Sequence, residues 1–546
     1  MHAYLKFDLI EFLAQGRGRE LKNVAILSLF AGIVNTALIA LINYSSQRVS
    51  EHHSVTWHFF IFAALLLGFM YGTAKVTHAN VMGAQALIHK FKIKIMGHVF
   101  RSQLIKVNEV GRGEILQLLA RDAHLVSQGS FMLIALSQSI VTVLFLTIYM
   151  AFVAWLAFLV ILVSMSLFLI VSLIGLRTSA RELKQTVVKD AYVNTIFDDF
   201  LSGYQEVKMD SRRARDITRH MIEKSRESSK FKGEVMSEML QFFNYMQAFM
   251  FVVVGLLIYL VPEFSPSFSE HILQATTTSL FIVSSLNVVV QTMPSLTQVN
   301  LSARSLMDLE KRLSDEEAET ASRQRELFSE FKSVTFRDIC FDHTNVRTGT
   351  QFKLGPMSYE FEAGKVYFIR GRNGSGKTTM IRLLTGLYTP ASGQIIVNGE
   401  QVVAQPSTSD YRDLFAVVFS DFYLFTKTYG LNHISDDEVT ELLKQFEIEA
   451  HVSVRDGEFS TVKLSTGQRK RLALVVALLC KKPILVLDEW AADQDPQFRK
   501  EFYDIIIPRL RALGKTVIAI THDDRYYSAA DKVLSVSRGV LVEATL

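Results

Sequence analysis

The chain has 546 residues, of which 49% are hydrophobic, with a mean hydropathy of +0.22 and a formal net charge of +4. That length calls for several domains, and a charge so near neutral excludes the strongly basic surface that a nucleic-acid partner would need. Cys340 and Cys480 lack metal-ligand spacing and read as structural thiols in a reducing compartment.

The apolar residues lie in long uncharged runs before about residue 300 and in short strand-sized runs after about 330, which predicts a membrane half followed by a soluble half. The first residues, MHAYLKFDLIEFLAQGRGRELK, show no short apolar core followed by a cleavage site, so the first span is expected to act as the insertion signal. A span needs about 20 predominantly apolar residues. Six stretches qualify, at about 23–45, 56–74, 131–153, 155–176, 242–262 and 271–296. Phe131 to Leu176 contains no Asp, Glu, Lys or Arg, which predicts two spans joined by a very short turn near Ala154 and Trp155.

Lys and Arg accumulate in cytoplasmic loops. Here they precede the first span (Lys6, Arg17, Arg19, Lys22), fill the loop from Lys75 to Arg121 and fill the loop from Arg177 to Lys232. The alternate loops carry only Arg48, or the acids Glu263 and Glu270. Both termini are therefore expected in the cytoplasm. The two basic loops, about 55 and about 65 residues long, show helical apolar spacing and predict long helices reaching into the cytosol, with tips near Gly111–Asp122 and Glu206–Asp216.

No carboxylate or Lys lies well inside any span, so a path through them would be polar and neutral. In the sixth span Thr277, Ser284, Asn287, Gln291, Ser295 and Gln298 recur at helical intervals and share a sector of about 80°. Such a stripe either lines a substrate path or bonds one helix to another. Asn244, Gln247, Gln138 and Thr142 are candidates to face the same space.

After a charged helical connector (301–329), an α/β pattern begins and runs over 330–546. The strand-like KVYFIR leads into Gly371, Arg372, Asn373, Gly374, Ser375, Gly376, Lys377, Thr378 and Thr379, and IRLLTGL continues as a helix. This is GxxxxGK[ST] in its strand–loop–helix setting: backbone N–H groups close around phosphate oxygens, Lys377 reaches the β and γ phosphates, and the Thr378 hydroxyl reaches Mg²⁺. Downstream, four apolar residues from Ile484 lead into Asp488 and Glu489. Asp488 suits a Mg²⁺ role, and Glu489 suits a general base that polarises the attacking water.

Between these elements lies Leu464-Ser465-Thr466-Gly467-Gln468, and here the sequence resembles the ABC transporter family, whose signature reads LSGGQ. Asp495 in AADQDP is similar to the family's D-loop aspartate, and His522 after TVIAIT to its γ-phosphate-sensing histidine. The soluble resemblance covers about 330–546, and the six-span part (1–300) resembles the exporter type. The fold class implied is an all-α membrane domain of six transmembrane helices fused to an α/β P-loop ABC ATPase domain.

The resemblance implies a dimer, because in this family ATP is sandwiched between the phosphate loop of one subunit and the signature of the other. One full set of motifs per chain makes a homodimer the simplest assembly, with a heterodimer as the alternative, and in it Ser465 of one copy meets nucleotide on the Lys377 loop of the next. Two positions depart from the family pattern. Ser420 in VVFSDFYLF stands where Gln usually links Mg²⁺ and water to the membrane helices, and this stretch resembles bacterial exporters of cyclic lipopeptides and peptide siderophores, such as the syringomycin and pyoverdine exporters. His343 stands near the usual adenine-stacking Tyr, with Phe341 as an alternative ring.

The implied activity is ATP-driven export of a cyclic peptide, lipopeptide or peptide siderophore across the bacterial inner membrane, with ATP and Mg²⁺ as cofactors and membrane lipid as surroundings. A lipid or multidrug exporter, and a membrane-tethered signalling ATPase that moves no cargo, are the alternatives.

Overall fold

The structure, a computed structural model, describes residues 8–50, 52, 54–264, 272–314, 330–344, 351–399, 401–403, 409–431, 433–537 and 539–544. Lys6, Glu270 and residues 315–329 of the expected connector lie outside the described residues. The chain divides into two compact units: Met1–Ile95 with Gly113–Lys311, and Met96–Arg112 with Arg312–Leu546.

The first unit is helical. Its chain order is α1 (Asp8–Ser50), α2 (Thr56–Arg101), α3 (Leu104–Val110), α4 (Arg112–Gln117), a π-helical turn over Leu118–Asp122, α5 (Ala123–Val153), α6 (Trp155–Ser202), α7 (Tyr204–Met209), α8 (Ser211–Tyr259), α9 (Val261–Phe264) and α10 (Ile272–Ser314). Six helical stretches are long and apolar enough to cross a membrane. The hairpin of the third and fourth spans turns on one extended residue, Ala154 (φ −153°, ψ 98°).

α2, α6 and α8 hold 46, 48 and 49 residues. At 1.5 Å per residue each is about 70 Å long, more than twice the hydrocarbon thickness, so each continues well past its span. The tips fall earlier in the chain than the sequence reading placed them. Extended Gln103 ends α2, and Gly111, at φ 90°, closes α3. The helix then resumes at Arg112 and passes through the π turn, so Asp122 is no breaker; its carboxylate accepts a hydrogen bond from Ser302 Oγ (2.9 Å). At the second tip, Gly203 and Asp210 bracket α7, and the Asp210 carboxylate caps α8 by accepting from Arg212 N and Arg213 N.

The helices are tied by short polar links and by close contacts at glycine. Asn43 bonds Thr278 (2.9 Å) and Thr277 (2.7 Å), Asn35 donates to Thr142 (3.3 Å), and Asn80 donates to Ser130 (3.2 Å). A Cβ at Gly129 would stand 2.2 Å from Val299 Cγ1. An apolar core including Leu146, Met150, Ala157, Leu257 and Ala275 fills the interior, as expected where small residues let helices approach.

The second unit is α/β. Its strands are β1 (Ser333–Thr344), β2 (Gln351–Glu362), β3 (Val366–Arg370), β4 (Ser392–Val397), β5 (Gln401–Val402), β6 (Phe415–Val418), β7 (Val454–Arg455), β8 (Glu458–Phe459), β9 (Ile484–Asp488), β10 (Thr516–Ile520), β11 (Lys532–Ser537) and β12 (Val540–Glu543). Its further helices are α11 (Lys377–Leu384), α12 (Ser409–Arg412), α13 (Asp436–Gln445), α14 (Thr466–Leu479), α15 (Pro496–Glu501) and α16 (Ile507–Ala512).

A six-stranded sheet runs β12-β11-β3-β10-β9-β6, parallel except for β12. β9 and β10 are buried at every residue, as a sheet covered on both faces requires. An antiparallel sheet, β2-β1-β4-β5, and the β7–β8 hairpin complete the unit. Ile105, on the first tip, packs on the core of this same unit.

Candidate active site

The strand order places the chemistry. β3, β10, β9 and β6 are neighbours, and at their carboxyl ends the chain delivers, in turn, the Gly371 loop, His522, Asp488 with Glu489, and Ser420. Open α/β sheets bind ligands at this edge.

At both ends of the loop from Gly371 to Gly376 there is room only for backbone. A Cβ at Gly371 would meet Val536 O at 2.6 Å, and one at Gly376, itself at φ 100°, would meet Leu354 Cδ1 at 2.4 Å. Lys377 opens α11 with its side chain folded over the loop, 6% exposed, donating to Gly371 O (2.9 Å) and Arg372 O (3.3 Å). Those carbonyls hold the ammonium where a phosphate oxygen would compete for it.

One side of Asp488 is engaged: Thr378 Oγ1 and Ser420 Oγ each donate to Oδ2 at 3.2 Å. Its Oδ1 is buried with no hydrogen-bond partner. Burial pushes the Asp488 carboxyl up, against the two hydroxyl bonds that pull it down. A buried carboxylate oxygen without a partner, beside two hydroxyls, suits a hard cation that binds through oxygen.

Glu489 follows at φ 52°, ψ 36°, a left-handed conformation that few non-glycine residues adopt. Its carboxylate is 38% exposed, 3.3 Å from His522 Nε2 and 3.9 Å from Lys377 Nζ. Lys377, Thr378, Ser420, Asp488, Glu489 and His522, read separately from the sequence, thus meet in one cleft.

The signature residues stand apart from that cleft. Ser465 caps α14 in a reciprocal box with Gln468: its hydroxyl accepts from Gln468 N (3.4 Å), and Gln468 Oε1 accepts from Ser465 N (3.2 Å). Ser465 and Thr466 are exposed, and among the described residues none of Ser465, Thr466, Gly467 and Gln468 bonds to the Lys377 group. Asp495 caps α15 through Phe498 N (2.9 Å) and pairs with Arg471 (2.6 Å); the cap bond holds its carboxyl below the usual range.

Phe341 is 5% exposed and stacks on Tyr388, with centroids 5.3 Å apart and planes 8° apart. That burial leaves little of its ring open to a nucleobase. His343, two residues on, is half-buried.

Sequence reading missed a second layer around the cleft. Lys470 and Trp490 are buried, and Lys470 Nζ bonds Glu489 O (2.7 Å) and Asp493 (2.7 Å). The one local signal was a tryptophan directly after the acidic pair.

In α10, Thr277 serves as a link to Asn43. Ser284, Asn287, Gln291, Ser295 and Gln298 make no hydrogen bond among the described residues, and Ser284, Gln291 and Gln298 are exposed in the single chain.

Residues 354–492 match the family described as ABC transporter, and they contain the phosphate loop, Ser420, the signature and the acidic pair. The ABC transporter match thus lies in a polypeptide that joins six helices long and apolar enough to cross a membrane to an α/β ATPase domain, and its chemistry is ATP hydrolysis coupled to transport.

Among relatives, the ATP-binding protein SyrD of Pseudomonas syringae pv. syringae is 28% identical over 533 residues, 94% of this chain and 93% of SyrD. The glutathione/L-cysteine transport system ATP-binding/permease protein CydD of Bacillus subtilis (strain 168) is 30% identical over 41% of this chain and 40% of its own length. A solved bacterial Atm1-family ABC exporter with ATP bound shares the fold, with a TM-score of 0.75, 18% identity, and coverage of 96% of this chain and 94% of the exporter.

Proposed function

We propose that two copies of this chain form an ATP-driven exporter of a cyclic peptide, lipopeptide or peptide siderophore across the bacterial inner membrane, with the ATPase domains and both termini in the cytoplasm. The observation that carries the substrate class is the polar stripe of α10. Thr277 is spent on α1, whereas Ser284, Asn287, Gln291, Ser295 and Gln298 keep neutral donors and acceptors uncommitted among the described residues. Uncharged donors and acceptors match the amides of a peptide and offer no counter-ion to a cation. The similarity to SyrD over both domains supports the same reading.

At the nucleotide site, the Gly371–Thr379 loop cradles the phosphates and Lys377 transfers its bonds from loop carbonyls to phosphate oxygens. Thr378 and Asp488 would hold Mg²⁺, with Ser420 beside them; the ion would supply charge neutralisation at the transferring phosphoryl group. Glu489 accepts the proton of the attacking water, and His522 fixes the carboxylate against the γ-phosphate. His343 stacks on adenine. Ser465, Thr466, Gly467, Gln468 and Asp495 face the nucleotide of the partner copy, so closure of the dimer completes both sites and turns the cavity outward. Nucleotide must bind the closed state more tightly than the open one, or no work is done on the cargo.

The test is the ATPase rate of the protein in lipid nanodiscs, titrated with a panel of cyclic peptides and peptide-siderophore precursors and, separately, with lipids and hydrophobic cations. Saturable stimulation confined to the first panel is expected. Stimulation across the second panel would replace this substrate class with a lipid or multidrug one.

A further inference from the structure

Glu489 follows the last residue of β9, so besides the His522 ring 3.3 Å from its carboxylate its direction is set by the backbone turn that follows the strand. That turn is left-handed at Glu489, a conformation that persists only where its surroundings over-determine it. Three contacts do so. Glu489 N donates to Ile520 O at 3.2 Å. Lys470 Nζ donates to Glu489 O at 2.7 Å. Trp490, 1% exposed, donates its indole Nε1–H back to Lys470 O at 2.6 Å. Lysine and turn therefore grip each other through two bonds running in opposite directions.

Lys470 is itself 5% exposed, and among the described residues its ammonium pairs with the carboxylate of Asp493, Oδ2 at 2.7 Å. Asp493 lies in the 3₁₀ turn Trp490–Asp493, so the ammonium clamps both ends of one short segment. A buried ammonium is costly unless fully bonded, and lysine is an expensive choice where the role is only to fill space. We propose that Lys470 is a positioning residue for hydrolysis, fixing the backbone turn that aims the Glu489 carboxylate into the phosphate cleft. Lys470 lies one helical turn past Gly467, so α14 carries the signature at its start and the clamp on this chain's own base four residues past Thr466. Movement of the signature helix is thereby transmitted to the carboxylate that serves this chain's own phosphate loop.

The inference rests on Glu489 acting as the base, and the experiment separates the two. ATPase kcat and KM are measured for Glu489→Gln, Lys470→Met, Lys470→Arg and the Glu489→Gln/Lys470→Met pair, the slow variants by single turnover. Glu489→Gln is expected to bind ATP and scarcely hydrolyse it; turnover near wild type would remove Glu489 from the base role whatever Lys470 does. Lys470→Met is expected to lower kcat about tenfold or more with KM within about twofold, and Lys470→Arg to recover most of the loss.

In the Glu489→Gln background, Lys470→Met should lower the residual rate no further, because its effect runs through the carboxylate. An unchanged kcat in Lys470→Met, or an equal fold-loss with and without the Glu489 carboxylate, overturns the inference. Should Lys470→Met fail to fold, Asp493→Asn decides it: this half-exposed position loses one of the ammonium's two anchors, with an expected fall in kcat of about two- to fivefold at constant KM, and an unchanged kcat rejects the clamp.

Discussion

Asp488 stands under two opposed demands. Its carboxyl is buried at the end of a fully buried strand with one oxygen unpartnered, a poor place for a charge until a cation arrives. Burial raises its pKa in the fold, so the charged form weakens the apo protein, and stability from this group rises as pH falls through the raised range. Asp488→Asn removes the charge and keeps the shape. In nucleotide-free, EDTA-treated protein at neutral pH, the variant should melt a few degrees higher, on the order of 1 kcal/mol, while ATPase activity falls about 100-fold or more. The gap in melting temperature should narrow as pH is lowered, because wild-type Asp488 then takes up its proton. A variant that melts below wild type at neutral pH would show that the two hydroxyl bonds outweigh the buried charge. Most of this cleft was legible in the sequence, because phosphate loop, acidic pair and switch histidine each declare themselves in a few adjacent residues. The supports were not: Lys470 lies 19 residues from Glu489, and Phe341 lies 47 from Tyr388, so no local pattern joins them.

Elements were legible where periodicity spoke and illegible where packing decided. The one-residue hairpin at Ala154 follows from an uncharged run too long for one span. The tips between spans, by contrast, fall earlier than the helical spacing suggests, because the break at Gln103 has no breaker residue at all. The crossing of α5 and α10 is likewise invisible in sequence and is governed by Gly129. Alanine there would gain about 1 kcal/mol of helix propensity. Its Cβ, however, would stand 2.2 Å from the buried Val299 Cγ1, and forcing such overlap costs about 1–3 kcal/mol. The steric term wins because Val299, 2% exposed, has nowhere to turn. Gly129→Ala should therefore lower the melting temperature of the detergent-solubilised protein, and Gly129→Ala/Val299→Ala should recover more than the two single changes predict by addition. Equal melting of Gly129→Ala and wild type would mean that the helices part without loss.

At the scale of the whole transporter, cargo and nucleotide communicate only if cargo contacts change the free energy of closing, and the α10 stripe is where that difference is expected to arise. Asn287 and Gln291 lie four residues apart, on one face of the helix, with no hydrogen bond among the described residues. Neither side chain holds the fold through a bond, unlike Thr277, whose loss would break the link to α1. Replacing both by alanine should leave basal ATPase activity and melting temperature near wild type. If these amides bind peptide groups, each lost hydrogen bond is worth about 0.5–1.5 kcal/mol, so the pair should raise the peptide concentration for half-maximal stimulation by roughly 5- to 150-fold. The control is Thr277→Ala, which should lower stability first and stimulation only as a consequence. If Asn287→Ala/Gln291→Ala keeps both transport and stimulation at wild-type concentrations of cargo, the stripe is not the cargo path, and its polar residues serve the association of helices between the two copies instead.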